Sequence, residues 1–170
     1  IDLKILLSIS HIFTTVTERI QMKEHLTYQH SHDFLTGLYN RGYLERELIR
    51  LEDEKYLPLS FIMADTNGLK LINDSFGHIT GDEVLKKAAK ILEANCKAGD
   101  IVARYGGDEF LVFCELESSK ASEEALMRFE MDLALFKRRK ELPIPLSVSV
   151  GHDVVDDSFE GDWISFLKTL

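Results

Sequence analysis

Three carboxylates stand where predicted strands end or turn. Asp65 follows the apolar run 59–64, which is typical of a buried strand, and Asp108 and Glu109 lie at the turn of a predicted hairpin over residues 101–114. If both strands belong to one sheet, the three side chains converge at one edge. A carboxylate cluster beside buried strands is costly unless a cation neutralises it, and hard oxygen ligands suit Mg²⁺. The pattern indicates a metal site, with an ordinary acidic hairpin turn as the alternative.

Two glycines, Gly106 and Gly107, stand immediately before Asp108 in this turn. Glycine adopts positive φ without strain and has no Cβ, so it suits both a tight hairpin turn and the close approach of a ligand to the backbone. We therefore expect positive φ at this turn and an open surface on which a substrate can lie.

The segment over residues 67–78 adds amide and ammonium groups just after Asp65, and its turn residues predict a loop. Loop amides can hold phosphate oxygens, Lys70 can neutralise phosphate charge, and Asn73 can contact a base or sugar edge. Asp82 stands near the start of the next helix, where it either complements the helix N-terminus or accepts both N–H groups on the Watson–Crick edge of guanine. From the residues alone both roles stay open.

Residues 3–29 contain no glycine or proline and predict one long amphipathic helix. Its apolar residues recur at the heptad spacings of a coiled coil, at Leu6, Ile9, Phe13, Val16 and Ile20. Two packings fit this stripe. The helix either lies on its own domain or pairs with a second copy in a two-stranded coiled coil that leads in from a preceding module.

The rest of the chain predicts one α+β domain. We expect helices over residues 41–54, 80–97 and 122–140, and strands over residues 59–64, 101–105, 109–114 and 144–150, the last of which Gly151 ends. This order predicts an α+β sandwich in which helices flank a central, mainly antiparallel sheet.

Composition limits the function classes. The 170 residues include 20 basic and 29 acidic side chains, and the net charge of −9 argues against a nucleic-acid binder. Cys96 and Cys114 lack the spacing of a zinc or C-x-x-C site, so we expect reduced thiols in a cytoplasmic protein. No apolar run is long enough to span a membrane, and we expect no membrane contact by this stretch. Because the chain begins at Ile1, we expect a piece of a longer protein, which another segment could anchor to a membrane.

Residues 104–110 read Arg-Tyr-Gly-Gly-Asp-Glu-Phe and resemble the signature of the GGDEF family, the diguanylate cyclases. Residues 33–41 are similar to the family's D-x-L-T-G-L-x-N-R, residues 65–74 to its D-x-(D/N)-x-(F/L)-K-x-I-N-D, and residues 77–82 to its G-H-x-x-G-D. The resemblance covers about residues 31–151. It implies a fold similar to the palm of polymerases and nucleotidyl cyclases, which agrees with the predicted sandwich.

The resemblance implies a role for each matching residue. Asp65 and Asp108 would hold two Mg²⁺ or Mn²⁺ ions per active site, with the main-chain carbonyl of Thr66 and the carboxylate of Glu109 as further ligands. The catalytic residues would be Asp108, Glu109 and Lys70. The substrate contacts would be Lys70 at the phosphates, Asn73 and Asp82 at guanine, and Leu69, Gly106 and Gly107 around the nucleotide.

The resemblance also implies a reaction and partners. Each domain would bind one GTP, and two facing domains would join two GTP molecules into cyclic di-GMP and release two pyrophosphates. One metal would lower the pKa of a ribose 3′-hydroxyl, and the other would stabilise the transition state at the α-phosphate. Turnover then needs a homodimer. Residues 1–30 would form the signalling helix below an N-terminal sensory domain, and residues 31–170 would form the cyclase domain.

Three features depart from the family pattern. Asn67 and Leu69 replace a common Asp and a common Phe, within the family's variation. The product-inhibition motif R-x-x-D is replaced here by a segment from Lys97 to Asp100, and Lys lacks the bidentate fork of Arg. We therefore expect weak feedback inhibition at most, with Asp100 as an ordinary surface carboxylate. Residues 163–170 match only the start of the family's last helix, so we expect this stretch to be weakly active or inactive.

Two other functions stay open. One is a catalytically silent module that binds GTP or dimerises and so regulates an attached domain, although the intact carboxylates argue against it. The other is an enzyme that makes a different cyclic dinucleotide, which Asp82 disfavours because it should prefer guanine.

Overall fold

The computed structural model describes residues 3–53, 59–115, 119–139 and 147–155, together with Gly161. In these ranges the helices are α1 (Leu3–Ser31), α2 (Arg41–Asp53), α3 (Leu69–Phe76), α4 (His78–Ala94) and α5 (Ser119–Arg139). The strands are β1 (Tyr39–Asn40), β2 (Leu59–Thr66), β3 (Ile101–Arg104), β4 (Glu109–Glu115) and β5 (Val148–Val155).

The five strands form one sheet in the order β1-β3-β4-β2-β5. Of the four strand pairs in this sheet, β1–β3 is parallel, and the other three, β3–β4, β4–β2 and β2–β5, are antiparallel. The prediction of a central, mainly antiparallel sheet is therefore confirmed. The predicted hairpin over β3 and β4 lies in the same sheet as β2, which is the condition for the carboxylates to meet.

Helices cover both faces of the sheet. Successive side chains of a strand point to opposite faces, so Phe61 and Ile62 of β2 enter different cores. One core lies under α2 and includes Leu44 and Leu48, which are fully or almost fully buried. The other core lies under α3, α4 and α5 and includes Ile72, Val84, Leu85, Ala88, Leu92, Phe129 and Leu133. This arrangement confirms the predicted α+β sandwich.

Helix α1 leaves its apolar stripe without a partner in the described part of the chain. The exposed fraction is between 50% and 75% for Ile9, Phe13, Val16 and Ile20. For these residues the alternative that α1 packs on its own domain is therefore wrong. The side chain of Leu6, the first residue of the predicted stripe, lies outside the described residues. No helix among the described residues is both long and apolar enough to cross a membrane.

Three elements differ from the sequence-based expectation. Residues 69–76 form helix α3 rather than a loop, because Gly68 with φ 73° turns the chain directly into a helical turn. The backbone of Gly151 pairs with Met63 inside β5, so this glycine does not end the strand. The short strand β1 was not expected. Residues 144–146 and 163–170 of the predicted elements lie outside the described residues.

Candidate functional site

The carboxylates meet at the end of β2. Asp65 is directly opposite Glu109 in the antiparallel β2–β4 ladder, and directly opposed residues project their side chains to the same face. The main-chain N–H of Thr66 donates to the carbonyl oxygen of Asp108 at 2.9 Å. This bond joins the end of β2 to the turn at residues 105–108 between β3 and β4, which we call the signature turn. The sheet therefore places Asp65, Asp108 and Glu109 at one edge, as the strand pattern predicts, with Asp65 close enough to feel the charge of Asp108 and the carboxylate of Glu109 lying against Gly106.

The electrostatics of this edge favour a cation. Partial burial, and then the neighbouring charge of Asp108, raise the pKa of Asp65 above its ordinary value of 3.8. A divalent ion would relieve this repulsion, and the donors present are the hard oxygens that Mg²⁺ and Mn²⁺ prefer. Among the described residues, no three acidic, histidine or cysteine side chains are already gathered into a metal shell. A cation at this edge would therefore also draw on main-chain, substrate or water oxygens.

Thr66 can contribute only through its backbone. Its side chain is fully buried, and its hydroxyl oxygen has no hydrogen-bond partner. Because side chains alternate along β2, the hydroxyl of Thr66 points to the opposite face from the carboxylate of Asp65. The main-chain carbonyl is thus the group of Thr66 that suits the ligand role implied by the family resemblance.

The two glycines of the signature turn have different tasks. Neither has positive φ, so the prediction of positive φ at this turn is wrong. The turn is closed by the N–H groups of Tyr105 and Gly106, which donate to the carbonyl of Glu109 at 2.8 and 3.1 Å. A Cβ at position 106 would collide with the carboxylate of Glu109, so Gly106 makes room for that side chain. Gly107 faces open space, as expected of a substrate surface.

Arg104 holds the signature turn from the side. Its guanidinium donates to the carbonyl of Gly107, with Nε at 3.3 Å and Nη2 at 2.7 Å, and its Nη1 donates to the two carboxylate oxygens of Asp33 at 3.2 and 3.3 Å. Both side chains are only about 15% exposed. The two residues are 71 positions apart, so no local pattern in the sequence predicts that they form a pair.

The mostly buried carboxylate of Asp33 is stabilised by hydrogen bonds and by charge. The backbone N–H and the hydroxyl of Thr36 donate to it at 2.9 and 2.8 Å. Burial would raise the pKa of Asp33, but the hydrogen bonds from Thr36 and the charge and hydrogen bonds of Arg104 outweigh burial and lower it. The carboxylate of Asp33 thus links the turn after α1 to the signature turn.

The predicted phosphate-binding loop is the N-terminus of α3. Lys70 lies exposed in the first turn of this helix, which begins three residues after Thr66. No side chain caps the N-terminus at Gly68, so the first N–H groups of the helix have no side-chain partner there. The donors that we expected from a loop are therefore supplied in ordered form by a helix.

The predicted guanine contacts lie where α3 packs on α4. The side-chain oxygen of Asn73 is buried without a hydrogen-bond partner, and it lies against Gly81, where a Cβ would collide with it. Asp82 follows Gly81 and is exposed. Leu69 packs partly buried on the core beside Gly81. A buried acceptor without a donor, next to an exposed carboxylate, suits a ligand that brings N–H groups.

The segment that replaces the product-inhibition motif is a capped turn. The carboxylate of Asp100 accepts the backbone N–H of Lys97 at 2.7 Å, and the N–H of Asp100 donates to the carbonyl of Lys97 at 3.1 Å. Burial, with a further contribution from the charge of Asp100, raises the pKa of the Cys96 thiol to about 12. Asp100 is half-buried and stabilises this turn, and its lack of a role in product binding stays a prediction.

Comparison with known proteins agrees with this geometry. The family model described as "Diguanylate cyclase, GGDEF domain" matches residues 30–166. Diguanylate cyclase DosC of Escherichia coli strain K12 is 33% identical over 152 residues, which is 85% of this chain and 32% of DosC. Response regulator PleD of Caulobacter vibrioides is 46% identical over 83 residues, which is 47% of this chain and 18% of PleD. The chain thus spans a third or less of these curated relatives.

Solved structures share the fold. The coiled coil and GGDEF domain of DgcB from Caulobacter crescentus, in complex with c-di-GMP, superposes with a TM-score of 0.79 and covers 96% of this chain and 88% of the DgcB chain, at 24% identity. The DgcB GGDEF domain alone, also in complex with c-di-GMP, gives a TM-score of 0.71 at 26% identity and covers 81% of each chain.

Proposed function

This chain belongs to the GGDEF family of diguanylate cyclase domains, and we propose that it condenses two molecules of GTP into one of cyclic di-GMP with release of two pyrophosphates. The observation that carries the proposal is the closeness of Asp65 and Asp108 at one sheet edge, with Glu109 opposite Asp65 in the β2–β4 ladder. There burial, and then the charge of Asp108, raise the pKa of Asp65. Such an edge favours divalent cations and the triphosphate that they carry.

The chain's own residues would hold and orient the reactants. Asp65, Asp108 and Glu109, with the main-chain carbonyl of Thr66, would bind two divalent cations, Mg²⁺ or Mn²⁺. When bound, these ions neutralise the triphosphate and acidify the attacking ribose 3′-hydroxyl. Lys70 and the N–H groups at the start of α3 would bind phosphate oxygens.

Base selection would rest on the α3–α4 pair. The amide of Asn73 and the carboxylate of Asp82 would face the edge of guanine, with Leu69 beneath. At the signature turn Gly106 would leave room for Glu109, and Gly107 would leave room for the nucleotide. A site built to pair with particular N–H groups rejects a base that leaves its polar groups without partners. This argument favours GTP over ATP and disfavours a cyclic dinucleotide that contains adenine.

The reaction would need two copies of the chain. The attacking hydroxyl and the attacked phosphorus come from different GTP molecules, so two sites must face each other. The apolar stripe of α1 offers the means to pair two chains as a coiled coil. In this view residues 1–30 form a signalling helix, residues 31–170 form the cyclase domain, and a sensory domain before α1 would set the arrangement of the dimer.

Product analysis tests this function. We expect a longer chain that contains residues 1–170, called the parent protein below, to form cyclic di-GMP from GTP and Mg²⁺ and to release two pyrophosphates for each product molecule, whereas residues 1–170 alone should be weakly active at most. Asp108→Ala should abolish product while the far-UV circular dichroism stays unchanged. Asp153→Ala is the matched control, because this exposed carboxylate lies in β5 opposite Phe61, towards the other end of the strand pair from Asp65.

Two results would contradict the proposal. Product formation by Asp108→Ala at the parental rate would show that the carboxylate of Asp108 is not needed for the reaction. Tight GTP binding by the parent protein, without any product at protein concentrations that give a dimer, would instead identify a catalytically silent regulatory module.

A further inference from the structure

Four aromatic rings stack in series where α1 meets the domain. Tyr28 and His32 are parallel, with ring centroids 3.9 Å apart and 9° between the planes. His32 and Tyr39 are 4.6 Å apart and tilted by 35°, and Tyr39 and Tyr43 are 4.0 Å apart and tilted by 9°. We call these four residues the aromatic ladder. Its centroid distances lie in or below the range of favourable aromatic pairs.

The aromatic ladder joins three elements. Tyr28 lies in the last turns of α1, His32 directly follows this helix, Tyr39 lies in β1 and Tyr43 lies in the first turn of α2. Hydrogen bonds lie beside the rings, since the side-chain amide of Asn40 donates to the carbonyls of His30 and His32 at 3.1 and 3.3 Å, and the hydroxyl of Tyr28 donates to that of Gly37 at 3.4 Å. The side chains from Leu7 to His30 are otherwise almost all exposed, so among the described residues α1 packs on the domain mainly at this end.

The same junction leads to the signature turn. The strand β1 pairs in parallel with β3, where Tyr39 is opposite Ala103 and Asn40 is opposite Arg104. Arg104 in turn holds both Asp33 and the carbonyl of Gly107. The end of α1 and the signature turn are therefore fixed to the same strand of the sheet.

We propose that the aromatic ladder is a rigid joint that sets the direction in which α1 leaves the domain, and thereby the alignment of two nucleotide sites when two α1 helices pair. This inference rests on the proposed function. Helix α1 has 29 residues and is about 43 Å long at 1.5 Å per residue, so a small rotation at its base moves a paired domain by several ångströms. Misplacement of reacting groups by about 1 Å can cost roughly a hundredfold in rate. The ladder residues are positioning residues, because none of them belongs to the proposed metal or nucleotide site.

A distance measurement tests the joint without any turnover. Spin labels on Glu18→Cys in α1 and Lys90→Cys in α4, both exposed sites, report the direction of α1 relative to the domain in one chain. The native Cys96 and Cys114 are replaced by alanine, and an excess of unlabelled protein removes distances between chains. We expect a narrow distance distribution in the parent and in His32→Phe, which keeps a ring. We expect a broad distribution in His32→Leu, which breaks two stacks.

A kinetic measurement tests the consequence. His32→Leu should lower kcat for cyclic di-GMP about tenfold or more, with GTP affinity and dimer dissociation unchanged within about twofold, while His32→Phe restores most of kcat. Tyr28→Leu removes only the outermost ring, which belongs to a half-exposed side chain, and should give a smaller loss in the same direction. Phe34→Leu is the matched control, since Phe34 lies in the same turn, is 97% exposed and is absent from the ladder.

The outcomes separate this inference from the proposed function. An unchanged distance distribution in a folded His32→Leu, or an equally broad one in His32→Phe, would overturn the rigid joint. A parent protein that makes no cyclic di-GMP would contradict the proposed function, while the distance distributions would still support or overturn the joint. If His32→Leu does not fold, Tyr28→Leu decides, and a parental distribution in that variant would count against the proposal.

Discussion

The carboxylate of Asp65 lies where its charge lowers the stability of the metal-free protein. Its pKa is raised in the folded state by burial and by Asp108, so its favourable contribution is present below pH 3.8 and is lost as the pH rises through the raised pKa. At neutral pH the ionised side chain therefore destabilises the fold until a cation binds. This is the cost expected of a residue selected for a charged ligand rather than for folding.

We predict that Asp65→Asn stabilises the metal-free protein at pH 7 by a small amount, below about 1 kcal/mol because the site is partly solvated. The difference from the parent should vanish near pH 3, where both side chains are neutral. Thermal unfolding at the two pH values measures this, with Asp153→Asn as the control. The same variant should lose the stabilisation that Mg²⁺ and GTP give the parent. A lower melting temperature for Asp65→Asn at pH 7 would contradict the electrostatic account of this edge.

The ion pair between Arg104 and Asp33 stabilises the fold, whereas the charge of Asp65 destabilises it. Removal of the guanidinium by Arg104→Ala leaves a mostly buried carboxylate without its positively charged partner, and we predict a loss of about 1–3 kcal/mol in urea unfolding. Asp33→Asn in the same chain should recover part of that loss. A double-mutant cycle should therefore give a coupling energy of about 1 kcal/mol or more, whereas additive losses would mean that the pair does not hold the turn.

The pH dependence of this pair has a defined sign. The folded pKa of Asp33 is lowered, so its stabilisation is fully present above 3.8 and is lost as the pH falls through the folded value. Asp33→Asn should therefore flatten the stability profile below about pH 4. The ion pair and its pH dependence explain how Asp33, 71 positions before Arg104, stabilises the signature turn.

Secondary structure was readable from the sequence where side-chain pattern decides it. The alternation and apolar runs of β2 and β4 predict buried strands, and the periodicity of α4 predicts a helix that covers them. Helix α3 was missed because it has only eight residues between two glycines, a composition that also suits a loop. Gly151 was misread because backbone pairing, which involves no side chain, holds it inside β5.

The candidate site was readable only in part, for a related reason. The carboxylates could be assigned to one edge because strand pairing carries them there. The task of Gly106 depends on where the side chain of Glu109 folds, and the link between Arg104 and Asp33 depends on tertiary packing. Neither leaves a local pattern in the sequence.

Contact between α3 and α4 predicts the effect of one methyl group. Gly81→Ala would place a Cβ against the buried side-chain oxygen of Asn73, so that side chain must move. We predict a loss of GTP affinity and of the preference for GTP over ATP, both of about tenfold or more. Competition binding measures both quantities. Gly151→Ala, where a Cβ has open space, is the control, and an unchanged nucleotide preference in Gly81→Ala would remove Asn73 from base recognition.

The turn from Lys97 to Asp100 predicts weak control by product. Lys97 offers a point charge in place of a planar fork, and the carboxylate of Asp100 already accepts the backbone N–H of Lys97. We expect calorimetric titration to show cyclic di-GMP binding no tighter to the parent than to Lys97→Ala. A tight isotherm that is lost only in the variant would show that this turn still binds product.

The whole molecule combines an acidic domain with an amphipathic helix whose apolar stripe is exposed. With a net charge of −9, two facing copies repel each other, and screening by salt weakens that repulsion only beyond about 8–10 Å. The exposed stripe of α1 offers attraction that does not depend on charge, and cations at the two nucleotide sites would reduce the repulsion between them. We therefore expect two complete sites, held together by α1, to make one molecule of product.

Mixing active and inactive chains tests whether product formation needs two complete sites. Parent protein and Asp108→Ala are combined in varied proportion at constant total concentration, allowed to exchange partners, and assayed with GTP and Mg²⁺. Each phosphodiester bond should need one site with its Asp108 carboxylate. A mixed dimer has one such site, so it should form one bond and stop at the linear dinucleotide. Cyclic di-GMP per total protein should then fall with the square of the parent fraction. A linear fall, without accumulation of the linear dinucleotide, would contradict the two-site account.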